Sequence, residues 1–213
     1  MTLKQATGAA IAGICCIFVL RTGGTFAPGF FANLLIARIS TTIALAAAIA
    51  ILSFYVAFYR HLDVPGEERL RGAALLAIAG DMLMVALHLK AFIVVNINRA
   101  PLSGASGLFE AVAQITGTLL VMLFFITFYR ETPPLEPGGL KGIVRVGLIG
   151  AAVGFSVRLV ATVNYLLSGA GVWIANLPRS LQLWFLPGIL ISVACFVYFF
   201  VSFYRYLGAA AKQ

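Results

Sequence analysis

Ser53-Phe-Tyr-Val-Ala-Phe-Tyr-Arg60, Leu123-Phe-Phe-Ile-Thr-Phe-Tyr-Arg130 and Tyr198-Phe-Phe-Val-Ser-Phe-Tyr-Arg205 decide how this chain is organised. Each stretch runs Phe, an aromatic residue, a β-branched residue, a small residue and then Phe-Tyr-Arg. Three such stretches in 213 residues exceed what chance would give even with 17 phenylalanines, so the pattern reads as an internal repeat. A second signature alternates with the first. Lys4, Gly13 and Arg21 share their spacing with Arg71, Gly80 and His88, and with Lys141, Gly150 and Arg158. The two signatures keep register, because Arg60 lies 11 residues before Arg71 and Arg130 lies 11 before Lys141. The units are Lys4–Arg60, Arg71–Arg130 and Lys141–Arg205 within a single domain covering residues 1–213.

The solvent of that domain follows from composition. Hydrophobic residues make up 62% of the chain and charged residues 10%, and the mean hydropathy is +1.02. Soluble domains carry about 25% charged residues, so lipid rather than water must surround this one. At about 20 residues per crossing, six crossings use most of the chain and leave only short loops. The expected fold is an all-α integral membrane bundle of six transmembrane helices, built from three tandem parallel two-helix hairpins. The spans predicted are Gln5–Leu20, Ile39–Tyr59, Gly72–Val95, Phe109–Tyr129, Gly142–Leu167 and Leu183–Tyr204.

Membrane physics accounts for both signatures. Basic residues 17 apart on a helix stand ~25 Å apart at 1.5 Å per residue, close to the hydrocarbon thickness of a bilayer. Lys4, Arg71 and Lys141 mark one interface, and Arg21, His88 and Arg158 the other. The Phe-Tyr-Arg triplets return each second helix to the first interface, where aromatic rings and a snorkelling Arg suit the headgroup layer. The intervening glycines permit close helix contact. Units of two crossings share one topology, so they are expected to be related by rotation about the membrane normal.

A net charge of +8 does not point to nucleic acid, because the basic residues are spread over helix ends instead of clustered on one face. They serve as interfacial anchors. Nine of them (Lys4, Arg60, Arg69, Arg71, Arg130, Lys141, Arg145, Arg205, Lys212) fall on the side of the termini and six (Arg21, Arg38, Lys90, Arg99, Arg158, Arg179) on the other. The positive-inside rule then places both termini in the cytoplasm, with a bacterial-type inner membrane as the expected location. Lys4 followed by the apolar run Gly8–Leu20 also has the form of a signal peptide, with Thr22–Ala27 as its cleavage region. Its match to the internal repeat marks it instead as the first membrane helix.

The loops of the terminal side, His61–Leu70 and Glu131–Leu140, are short, polar and rich in Pro and Gly, as turns should be. The segments of the other side, Thr25–Ala37, Ala91–Leu108 and Leu159–Trp184, are oddly apolar. They read as interfacial helices or as surfaces covered by a partner, with helix extension a third reading for Leu159–Ser168.

Among candidate sites, Asp81 is the sharpest. Its aligned positions hold Ile14 and Ala151, and it lies ten residues beyond Arg71, ~15 Å deep. A carboxylate at that depth costs at least ~2.5 kcal/mol, so it must be protonated, paired or facing water. It is either a proton or cation site or an acid that fixes helix packing, with Arg145 a partner reaching from the terminal third. Arg21, His88 and Arg158 form a three-fold set that either snorkels to the interface or rings an axis and attracts anions. Glu110, at the start of the fourth helix, is placed to pair with His88 across a hairpin.

Chemistry-bearing motifs are missing from the sequence. The two histidines, His61 and His88, belong to opposite interfaces and cannot ligate one haem together. Cys15, Cys16 and Cys195 have no metal-ligand spacing and read as buried, inert thiols. Neither a Gly-Lys-Ser/Thr phosphate loop nor a Gly-x-Ser-x-Gly elbow occurs. No cofactor is indicated, and an enzymatic role finds no pair of reactive side chains. The function expected on this ground is a non-catalytic accessory subunit of a larger inner-membrane complex, its apolar segments (Phe26, Phe30, Phe31, Trp173, Ile174) covered by other membrane subunits and the lipid bilayer. The alternative is a small ion or solute channel or carrier that uses Asp81. The topology is open to direct measurement: reporters fused to either end are expected to read cytoplasmic, and processing of the chain before Arg21 overturns the six-helix assignment.

Overall fold

The computed structural model describes residues 1–26, 33–62, 67–98, 107–133, 139–168 and 179–210, with the side chains of 21–26, 165, 168, 179–184 and 210 left aside. Six helices follow one another: α1 (Leu3–Phe26), α2 (Leu34–His61), α3 (Glu68–Phe92), α4 (Leu108–Glu131), α5 (Leu140–Ser168) and α6 (Arg179–Ala210). All six are long and apolar enough to span a membrane. Side-chain caps set two of the starts. Thr2 N–H donates to Gln5 Oε1 at 2.9 Å while Gln5 N–H donates to Thr2 Oγ1 at 3.3 Å, a reciprocal capping box that starts α1. The Asn33 side chain accepts from Leu35 and Ile36 N–H and starts α2. Within the helices, hydroxyls such as Thr7, Thr41 and Thr118 donate to carbonyls four residues back, which spares lipid an unsatisfied group.

Helix ends therefore differ from those the apolar runs predict. α2 begins at Leu34 because of the Asn33 cap. α5 continues through Ser168, so Leu159–Ser168 is helix extension. α3 runs on into a π-helical turn over Ile93–Ile97, where the Asn96 side chain donates to Thr41 Oγ1 of α2 at 2.9 Å. The remaining apolar segments of this side, including Phe30, Phe31, Trp173 and Ile174, lie outside the described residues, as does the side chain of Phe26.

Each helix packs on its neighbours in the chain, and α6 returns to α1, so the six close into a ring. An even number of crossings leaves both ends of the chain on one face, called here the terminal face. Large apolar side chains point outward around the ring, among them Leu75, Met82 and Leu89 of α3 and Ile149, Val160 and Val163 of α5. Cys15 and Cys16 join this outward surface and are exposed, contrary to the burial expected of them, because the inward face of α1 is taken by Ala10, Gly13 and Ile14.

Lipid tails are as apolar as these side chains, so burial alone does not hold the helices together; close packing and polar contacts must. Close packing rests on small residues. A Cβ added at Gly13 would lie 2.8 Å from the Ala47 carbonyl oxygen, and one at Gly80 would lie 2.7 Å from that of Gly117. At Gly150 the added atom would meet Cys195 Cβ at 2.8 Å and the Ser192 carbonyl oxygen at 3.1 Å. These are the glycines of the second sequence signature, and each sits against the helix that follows its own.

The aromatic stretches quoted at the outset meet at the axis of the ring. Phe54 and Phe58 of α2, Phe124 and Phe128 of α4 and Phe199 and Phe203 of α6 are all 3% exposed or less. Ring centroids of Phe54 and Phe200 are 4.8 Å apart, of Phe58 and Phe128 5.0 Å, and of Phe125 and Phe199 4.9 Å. Most of these pairs are edge-to-face, the geometry the ring quadrupole favours. The cluster plugs the terminal half of the axis. Outside it, Arg71 lies over the ring of Tyr59 at 4.7 Å, Lys141 over Tyr129 at 5.1 Å and Lys4 over Tyr204 at 5.0 Å. Each contact ties the end of one helix to the start of another beside it.

Two glycine substitutions separate packing from propensity. Gly80→Ala is expected to destabilise the fold by about 1–3 kcal/mol, because the methyl group must push the α4 backbone away. Gly72→Ala, with nothing within 4 Å of the added atom, is expected to be neutral or stabilising by up to about 1 kcal/mol. Unfolding of the purified variants in detergent measures both.

Candidate functional site

Asp81 follows Gly80 on α3, and the contact of Gly80 with Gly117 presses that turn of α3 against α4. The side chain is thereby turned inward, and Asp81 is 7% exposed. A buried oxygen normally finds a donor. Asp81 Oδ2 is buried without a hydrogen-bond partner, and Asp81 makes no ion pair among the described residues.

What it faces is a cavity of about 200 Å³ on the ring axis, lined from all six helices. The cavity sits above the aromatic plug, on the side away from the termini. Tyr55, Phe196 and Phe200 form its floor, and Phe155, Val157 and Arg158 lie toward the opposite face. Ile14, Ile17, Ile51, Met84, Val121 and Ile189 make most of the wall apolar. The polar residues are few: Tyr55, Asp81, Thr118, Ser192 and Arg158. Two of these are committed to the fold. Ser192 donates to the Gly150 carbonyl at 2.8 Å, and Thr118 donates to the Gln114 carbonyl at 2.9 Å.

The remaining candidates separate. Arg158 is 5% exposed and turns inward, where Nη1 donates to Gln114 Oε1 at 2.6 Å; it does not snorkel to the interface. His88 is half-buried on α3, and the side chain of Arg21 lies outside the described residues. Glu110 is buried at the start of α4 and accepts from Lys90 Nζ at 2.6 Å, a contact across the hairpin of α3 and α4. Arg145 is exposed on the outward face of α5 and does not line the cavity. Asp81 and Arg158 are thus the two charged residues that the fold brings to one chamber.

Sequence reasoning passed over Gln114, Tyr55 and Lys90. The signal that singles out Asp81 applies to the first two as well. With the three Phe-Tyr-Arg stretches aligned, Gln114 falls level with Ala44 and Ile189, and Tyr55 level with Phe125 and Phe200. Among the described residues no group of three or more His, Cys, Asp or Glu side chains converges, so these side chains build no metal centre there. Comparison with protein-family models, curated proteins and solved structures finds no match to this chain.

Stability distinguishes a binding group from a packing group. A buried polar atom without a partner costs about 1–3 kcal/mol, so Asp81→Leu is expected to raise stability by a similar amount. Gln114→Leu is expected to lower it, because the loss of the Oε1 acceptor of the charged Arg158 guanidinium outweighs removal of the unpartnered Gln114 Nε2. Thermal unfolding of the two variants against wild type gives both signs; a loss of stability in Asp81→Leu makes Asp81 a packing residue.

Proposed function

We propose that this chain is a membrane carrier for a small solute, and that the axial cavity is its binding site with Asp81 as the binding group. The observation that carries the reading is the buried Asp81 carboxyl, without a partner, in a chamber lined from every helix. Proteins place uncompensated polar groups in the membrane interior where a solute or ion is handled. The aromatic plug favours a carrier over an open channel, since it fills the axis between the chamber and the terminal face.

We further read the ring as three two-helix hairpins, α1 with α2, α3 with α4 and α5 with α6, rotated about the membrane normal. Three sets of contacts support this. Gly13, Gly80 and Gly150 each touch the partner helix of the same hairpin. Tyr59, Tyr129 and Tyr204 each hold a cation from the next hairpin, the last of them returning to Lys4. The phenylalanines of α2, α4 and α6 meet one another. Binding sites of repeat-built transporters lie near the midplane where the repeats meet, and the position of Asp81 ten residues along α3 from Arg71 supports that depth for it. The placement of both termini in the cytoplasm and of the chain in a bacterial-type inner membrane belongs to the same proposal.

The test is uptake by proteoliposomes of a panel of labelled small amines, amino acids, carboxylates and sugars. At least one class is expected to enter faster than into empty liposomes, and Asp81→Asn is expected to abolish that entry while the protein still folds. If no class enters and the chain holds other membrane subunits in mild detergent, it is instead a non-catalytic accessory subunit.

A further inference from the structure

The lining of the chamber narrows the solute. Resting on the reading of the cavity as a binding site, we propose that it takes a small organic ammonium ion. The ligand carries one positive charge, held at Asp81, and one apolar group held against Tyr55, Phe155, Phe196 and Phe200.

The sign of the charge comes from Asp81. Its Oδ2 lacks a donor, and an ammonium group brings three N–H donors together with the opposite charge. A bare divalent cation is a poorer fit. Calcium takes six to eight oxygen ligands and magnesium an octahedron, whereas the lining offers one carboxyl-bearing side chain and three hydroxyl-bearing ones, Tyr55, Thr118 and Ser192. The rest of the wall supplies the second half of the ligand. Four aromatic side chains line the chamber, and aromatic faces attract a cation while packing its apolar body.

Size and the second charge set the limits. An apolar cavity of about 150 Å³ accommodates benzene, so about 200 Å³ fits a single ring or short branched chain with an amino group. α3 and α5 enter from the same face. Asp81 lies ten residues beyond Arg71 and Arg158 seventeen beyond Lys141. The seven-residue difference places Arg158 ~10 Å further toward the opposite face. A second ammonium group extending that way would meet the guanidinium, so the chamber discriminates against diamines.

Thermal unfolding and titration of the full chain in detergent test this with benzylamine, its neutral counterpart benzyl alcohol, and p-xylylenediamine. Benzylamine is expected to bind at least about tenfold tighter than benzyl alcohol, equivalent to about 1.4 kcal/mol, and tighter than the diamine. Asp81→Asn is expected to remove the preference for the amine over the alcohol; the wild-type comparison stands without this variant. Equal binding of amine and alcohol overturns the ammonium class and leaves the cavity a site for neutral solutes. Binding of neither overturns it as well, and the uptake panel then decides whether the carrier reading falls with it.

Discussion

Lipid gives these helices no hydrophobic reason to associate, and the packing of the whole molecule answers to that constraint. Two devices replace the missing driving force. Gly13, Gly80 and Gly150 let backbones approach to where a single methyl group would not fit, so many weak dispersion contacts accumulate along each helix pair. The rings of Phe54, Phe58, Phe124, Phe128, Phe199 and Phe203 then lock three helices at the axis through oriented, mostly edge-to-face contacts. The same arrangement creates the chamber. The bulky rings occupy only the terminal half of the axis, and above them the lining falls back to Gly117, Ala151 and Gly154, leaving space.

The helices themselves were legible because length and apolarity leave few other options at this composition. Their ends were less so, since Thr2 with Gln5 and Asn33 act through local hydrogen bonds that hydropathy does not register. The inward direction of Asp81 followed from depth alone: a carboxyl group in mid-membrane does not face lipid. Its lack of a partner did not follow, because it depends on what five other helices bring to the axis. Arg158 shows the opposite limit. Spacing from Lys141 marks it as interfacial, yet Gln114 on the facing helix supplies an acceptor and draws it inward. A pattern along one helix cannot report the residue standing across from it.

The polar departures from the aligned pattern are unevenly distributed. Asp81, Glu110, Gln114 and Thr118 all belong to α3 and α4, where the aligned positions are mostly apolar or small. Tyr55 and Arg158 approach them from α2 and α5. A regular frame carries an irregular interior: the frame accounts for the packing, and the departures set the polarity of the chamber. This also accounts for why the strongest sequence feature, the aromatic stretch, says little about what the chamber holds.

The contact between Lys4 and Tyr204 has a consequence for how the molecule is made. α1 leaves the ribosome well before α6, yet each is one of the other's two flanking helices in the ring. Until α6 enters the bilayer, α1 must wait with one flank against lipid, and the axial rings lack the third of their set that α6 provides. Insertion can proceed helix pair by helix pair, but closure is a single late event that joins α6 to α1.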